Sequence, residues 1–95
     1  MVVEFTARHF HAPDNLKNYA ETEVQRINKV FNRVNKCQII LLHENNTFTA
    51  ELNLSMPSRQ LNVKETTDNV TKSIDRAVDK MISRVKKVKD KLNLH

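Results

Sequence analysis

The spacing of apolar residues switches between two periods along this chain, and the order of the switches restricts the fold more than any other feature. Four segments show strand signals, either alternation of apolar and polar residues or a β-branched apolar run: residues 2–8, 37–44, 48–56 and 59–65. Two longer segments carry apolar residues at helical spacing: 13–34, and Thr67 or Asp68 to about residue 92. Strands that bury one face need both helices on that face. The sequence therefore predicts an α+β fold of order β-α-β-β-β-α, a four-stranded sheet with two helices packed on one face.

The length and composition are those of one globular domain. The chain has 95 residues, of which 39% are hydrophobic and 28% charged, so we treat residues 1–95 as a single domain. It contains no glycine, and turns that need a positive φ must use residues such as Asn instead. We expect such a turn at Asn45-Asn46, and Pro57-Ser58 makes the next turn.

Nothing in the sequence indicates secretion or a membrane. The first residues lack the basic and apolar regions of a signal peptide, and no apolar run approaches the ~20 residues that span a bilayer. The lone Cys37 fits a reducing compartment, where we expect it to be a small core residue. The sequence predicts a cytoplasmic protein.

The basic charge is concentrated near the C-terminus. The net charge is +5, and residues 68–95 hold eight Lys or Arg against four Asp. Clustered cations favour a polyanionic partner. On the last helix, six cations fall within about 120° of arc next to the apolar stripe: Lys72, Arg76, Lys80, Arg84, Lys87 and Lys91. Lys89 lies outside that arc, on the same helix.

The first helix carries a second, shorter row of cations. Arg26, Lys29 and Arg33 are spaced i, i+3 and i+7 on the flank of its apolar face. If the helices pack side by side, the two rows could join into one cationic surface that binds phosphates. A row of cations can also be an ordinary solvated face, but such faces usually mix both signs at i,i+4 spacing. The acid-free row on the last helix therefore favours nucleic-acid binding.

Other kinds of site have little support. A glycine-rich phosphate loop is excluded by composition, no arrangement of catalytic side chains is evident, and His9 and His11 form only a pair where a metal site needs three or four ligands. We therefore expect no enzyme, no metal, no cofactor and no small-molecule substrate. The aromatics Phe5, Tyr19, Phe31 and Phe48 fit the core pattern, which argues against base-stacking RNA readers and favours recognition of folded RNA by backbone and shape.

The second strand places apolar residues on both of its faces. Ile40 and Leu42 alternate with Ile39 and Leu41, which predicts a small exposed apolar patch on the open side of the sheet. The patch is either incidental or a contact for a partner protein or a second copy.

The chain resembles the ribosome hibernation-promoting factor family, also called ribosome-associated inhibitor or sigma-54 modulation proteins, in its short form. The segments that carry the resemblance are Ile74-Asp75, Asp79-Lys80 and residues 87–92 (KVKDKL) on the last helix, and Leu16-x-x-Tyr19 and Phe31-Asn32-Arg33 on the first. The element order matches as well.

The resemblance implies translational silencing, in stress or stationary phase, by binding small-subunit rRNA where tRNA and mRNA bind. It leaves open whether the protein takes part in ribosome dimers. The family's rRNA-contacting cations carry over to Arg26, Arg33, Lys80, Lys87, Lys89 and Lys91. The helical rows add Lys29, Lys72, Arg76 and Arg84. Two alternatives remain: a general double-stranded-RNA-binding module, and a protein-interaction module acting on a sigma factor through the Ile40/Leu42 face.

Overall fold

The computed structural model describes residues 1–92, and this part of the chain folds in the predicted order. The strands are β1 (Val2–Arg8), β2 (Lys36–Glu44), β3 (Thr47–Met56) and β4 (Arg59–Thr67), and the helices are α1 (Asp14–Val30) and α2 (Val70–Leu92). The sheet order is β1-β2-β3-β4, with β1 parallel to β2 and the other pairs antiparallel. The predicted α+β fold, with both helices on one face, is confirmed.

One hydrophobic core lies between the sheet and the helices. Residues directly opposite each other on neighbouring strands, such as Ile39, Leu52 and Val63, point to the same face and are buried. The helices cover them with Ile27 of α1 and Met81 of α2, both fully buried. Because each buried aliphatic side chain contributes roughly 1.5–3 kcal/mol, the alternating pattern of the strands fixes which face receives the helices.

The other face of the sheet is open and mostly polar. Asn53 donates to Gln38 at 3.1 Å, and Asn62 donates to Asn53, so a row of amides crosses three strands. The predicted exposed apolar patch is wrong for Ile40, which is only 7% exposed and lies between Thr6 of β1 and Glu51 of β3 in the register of the sheet. Leu42 is half-buried. The open face therefore offers little apolar surface to a partner.

Helix α1 is shorter than the apolar spacing predicts. It ends at Val30, and Phe31 has extended backbone angles (φ −150°, ψ 108°). The Lys89 ammonium donates to the Val30 carbonyl at 3.1 Å, which satisfies one of the carbonyls that a helix end leaves free. Val34 is nevertheless buried, because the chain turns back onto the core. Arg33 therefore lies in the loop after α1 and not on the helix.

Helix α2 is packed against the rest of the domain over most of its length. It stays packed as far as Val88, which lines the same cavity as Met56 and Pro57 at the β3–β4 turn. Only about one turn of the described helix extends further. β3 and β4 have 10 and 9 residues, so at about 3.3 Å per residue the sheet is nearly as long as the 23-residue helix.

The start of α2 is capped by Asn69, although the sequence predicts that this helix starts at Thr67 or Asp68. The Asn69 side-chain oxygen accepts a hydrogen bond from the backbone N–H of Lys72 at 3.0 Å, as an N-cap residue does. Thr67 accepts from the Asn69 N–H at 3.1 Å. The buried hydroxyl of Ser73 donates to the Phe48 carbonyl at 2.7 Å. These bonds tie the first turn of α2 to β3 and β4.

Substitution of this cap should destabilise the domain measurably. We expect Asn69→Ala to lower the free energy of unfolding by about 1 kcal/mol, because the Lys72 N–H loses its acceptor. Asp68→Ala is the matched control and should change it by less than about 0.5 kcal/mol. Urea unfolding followed by circular dichroism measures both, and a larger loss in the Asp68 variant would contradict the cap assignment.

Candidate nucleic-acid interface

The six cations predicted along α2 are all exposed and line one flank of the helix. Two of them are held by β4: Lys80 forms an ion pair with Glu65 at 3.2 Å, and Arg84 donates to the Asn62 carbonyl at 2.7 Å. The row thus lies along the side of α2 that borders β4. It borders solvent on its other side, away from α1.

Four cations of this row are available to an outside ligand. Lys72, Arg76, Lys87 and Lys91 are exposed, and within residues 1–92 none of them forms an ion pair. Their spacing along α2 covers nearly the whole helix, so together they present a linear positive surface of about 28 Å at 1.5 Å per residue. A rod of charge of this length matches several successive phosphates of a nucleic-acid backbone.

The cations of α1 are not continuous with this row where the two helices pack against each other. Arg26 forms ion pairs at 2.9 Å with Glu23 of its own helix and with Asp79 of α2. The hydrogen bond from Arg26 to Glu23, followed by the one to Asp79, raises the pKa of the guanidinium above its ordinary value. The helices do pack side by side, but Glu23, Asp75 and Asp79 lie along their seam. The expected single surface is therefore interrupted by acids.

Tyr19 belongs to the same seam. The sequence pattern places it in the core, but the structure leaves it 36% exposed, with its hydroxyl donating to the carboxylate of Asp75 on α2. That hydrogen bond, with burial and the nearby negative charge, raises the pKa of Tyr19 to about 12. Tyr19 thus links the two helices through a polar contact.

Removal of this contact should change the titration of Tyr19. The chain has one tyrosine and no tryptophan, so phenolate absorbance at alkaline pH reports on Tyr19 alone. We expect a midpoint of about 12, and a value closer to ~10 in Asp75→Asn. Since the folded pKa lies above the unfolded value, the contact stabilises the fold fully below pH ~10 and this contribution is lost as pH rises towards 12. Identical midpoints in the two proteins would contradict the hydrogen bond.

The remaining predicted cations meet at the end of the molecule where α1 ends. Lys29, Arg33 and Lys89 line a cavity together with Phe31. Lys89 is half-buried and bonded to the Val30 carbonyl, so it serves the helix end as well as the surface. Here, unlike at the seam, cations of α1, the following loop and α2 lie together.

Arg59 is a cation of this end that sequence reasoning missed. It is exposed at the first position of β4 and lines a second cavity with Phe31 and Arg33. The only local signal is its place directly after the Pro57-Ser58 turn, where Ser58 takes a φ of 61°. An isolated cation at a hairpin does not differ in sequence from any other surface arginine.

Other side chains with possible chemistry form no site in residues 1–92. No group of three or more His, Cys, Asp or Glu is arranged there to hold a metal ion. Cys37 is buried in the core as predicted, and desolvation raises the pKa of its thiol to about 12. No helix in the described part of the chain is long and apolar enough to cross a membrane.

A comparison with family models decides the relationship. The model described as "Sigma 54 modulation protein / S30EA ribosomal protein" matches residues 3–93. The chain belongs to this family. The resemblance seen in the sequence is confirmed, and family membership also confirms that the protein is not an enzyme.

Individual relatives agree with this assignment. Ribosome hibernation promoting factor of Escherichia coli K12 is 22% identical over 95 residues, which is the full length of both chains. The factor of Klebsiella oxytoca is 23% identical over the same length.

Among solved structures, the N-terminal domain of Thermus thermophilus Protein Y superposes with a TM-score of 0.85 at 22% identity, over 93% of this chain and 99% of that one. A ribosomal subunit interface protein from Coxiella burnetii gives 0.89 at 19% identity, over 95% and 99%. The solved structures show the shared fold.

Proposed function

We propose that this protein is a ribosome hibernation factor that binds small-subunit rRNA in the decoding region and keeps the ribosome idle. The observation that carries the proposal is the exposed row Lys72, Arg76, Lys87 and Lys91 on a domain of this family. Such a row binds RNA by neutralising phosphates and releasing counterions. The rigid helix-on-sheet scaffold adds recognition by shape. The protein then acts in the cytoplasm, without cofactor or substrate.

The predicted contact residues divide into two groups under this proposal. Direct phosphate contacts come from the free cations of α2 and from Lys29 and Arg33 where α1 ends. Arg26, Lys80, Arg84 and Lys89 already have partners in the fold. These four add to the positive electrostatic field of the rows and make fewer direct contacts.

Co-sedimentation with separated ribosomal subunits over a salt series tests the proposal. We expect binding to the small subunit and the whole ribosome that weakens steeply with salt, and little binding to duplex RNA of equal mass. Equal binding to duplex RNA would indicate a general double-stranded-RNA-binding module instead. Binding that salt does not weaken would indicate a protein partner. Sucrose-gradient profiles with and without the protein would show whether ribosome dimers form.

A further inference from the structure

The cavity at the β3–β4 turn has a composition that the rows of cations do not explain. Its apolar wall consists of Phe31, Met56, Pro57 and Val88, and its remaining lining includes Arg33 and Arg59. The volume is about 350 Å³, near the lower end of the roughly 300–1,000 Å³ typical of small-ligand pockets. A surface that served only to attract phosphates would need no such apolar recess.

We propose that this cavity holds one unstacked nucleotide of an RNA strand, its base against Phe31 and its phosphate on Arg33 and Arg59. The inference rests on the proposed function, since it names the RNA element that this end of the protein would take from the rRNA. It makes Phe31 and Arg59 contact residues.

The charge of the cavity favours a nucleotide over an apolar or acidic peptide. Of the described residues that line it, none is acidic, and both charged ones are arginines. Guanidinium groups bind phosphate oxygens through paired hydrogen bonds and also stack on planar rings. A base offers a flat face to an aromatic side chain, and such stacking tolerates any of the four bases. The apolar recess therefore matches the base of one nucleotide, and the two arginines at its edge match the phosphate.

A neighbouring cavity provides a path for the rest of the strand. It shares Phe31 and Arg33 with the first and adds Lys29 and Lys89. The described residues that line it likewise include no acid. The phosphates on either side of the held nucleotide can therefore lie on cations, one cavity after the other, around the half-buried Phe31. In RNA, bases that can be splayed out in this way occur in single-stranded loops, bulges and ends.

Small-subunit binding of matched variants tests the inference. We expect Phe31→Leu to bind about tenfold more weakly through loss of stacking, with an unchanged salt dependence because no charge is lost. Arg59→Gln should bind about tenfold more weakly and lower the salt slope by about 0.7, the value of one single-strand contact. Arg8→Gln is the control. Arg8 lies at the end of β1 that is far from the cavity, so this variant should bind as the wild type does. Arg59 is exposed, so its variant keeps the test valid even if Phe31→Leu fails to fold.

A photoreactive residue identifies what enters the cavity. Pro57 is exposed and lies on the rim of the cavity, so we replace it with p-benzoylphenylalanine. Irradiation of the complex between this variant and the small subunit should crosslink the variant mainly to one unpaired rRNA nucleotide. Primer extension maps the crosslinked nucleotide. A crosslink to a ribosomal protein, or crosslinks spread over paired rRNA, would overturn the inference.

The two proposals fail in different ways. If wild type binds small subunits and the Phe31 and Arg59 variants bind as Arg8→Gln does, the cavity inference is wrong and the proposed function stands. If wild type does not bind small subunits, the proposed function fails. In that case, titration of the isolated protein with a short oligouridylate, followed by amide NMR, decides the cavity: shifts at Phe31, Arg33 and Arg59 support it, and shifts confined to α2 overturn it.

Discussion

Charge reversal of Arg76 and Lys87 together should reduce affinity for the small subunit by about 100-fold. Both side chains are exposed and form no ion pair within residues 1–92, so in the proposed complex each is free to contact a phosphate. Charge-assisted hydrogen bonds contribute about 1.5–3 kcal/mol each, and a factor of ten corresponds to about 1.4 kcal/mol. Loss of two such contacts gives the expected factor, and reversal adds repulsion. The measurement is co-sedimentation or filter binding at several salt concentrations.

The salt dependence and a matched control make this prediction specific. The slope of log K against log salt should fall by roughly 1.5, because each lost phosphate contact removes about 0.7–0.9. Arg8→Glu with Lys17→Glu changes the total charge equally at exposed positions away from both rows, and should weaken binding far less. Equal losses in the two double variants would mean that only net charge matters and that the row on α2 is not an interface.

The same double variant should leave the fold nearly unchanged. Exposed side chains away from caps and ion pairs alter the free energy of unfolding by about 0.5 kcal/mol or less. Reversal of Lys80 differs, because it replaces an ion pair with Glu65 at 3.2 Å by repulsion. This pair is substantially exposed, where such pairs contribute at most about 1 kcal/mol. A thermal melt of each variant separates loss of binding from loss of structure.

The largest expected effect on stability is that of Leu52→Ala. Leu52 lies on β3 between Ile39 and Val63 and is only 1% exposed. Its truncation removes buried apolar surface and leaves a cavity under the helices, which costs about 2–5 kcal/mol. Since native domains have about 5–15 kcal/mol in total, the variant should lose a large part of its stability. Urea denaturation followed by circular dichroism gives the value.

An exposed valine provides the control for this prediction. Val2 is 61% exposed on the edge strand β1, so Val2→Ala should change the free energy of unfolding by about 0.5 kcal/mol or less. If Leu52→Ala cost no more than Val2→Ala, the single core between the sheet and the helices would be wrong.

The sequence alone determined the order of the elements, the buried faces of β1, β3 and β4, and the family. Apolar spacing reports burial directly: Ala50, Leu52 and Leu54 alternate with polar residues because one side of β3 faces the helices. The cationic row of α2 was equally readable, since residues at helical spacing share a flank wherever the helix packs.

The tertiary structure decided which of these cations are free, because their partners are distant in the chain. Arg26 is paired by Asp79, 53 positions away, and Lys89 bonds a carbonyl 59 positions away. The cavity could not be predicted from the sequence for the same reason: Phe31 and Arg33 of one loop and Arg59 of a hairpin are far apart in the chain and meet only in the folded domain. Contacts between elements also mark the helix ends: Asn69 caps α2, and Lys89 bonds the last carbonyl of α1, which ends at Val30 although apolar spacing continues to Val34. A periodic pattern records which residues face the core, but hydrogen bonds and ion pairs at the surface form only between elements that packing has brought together.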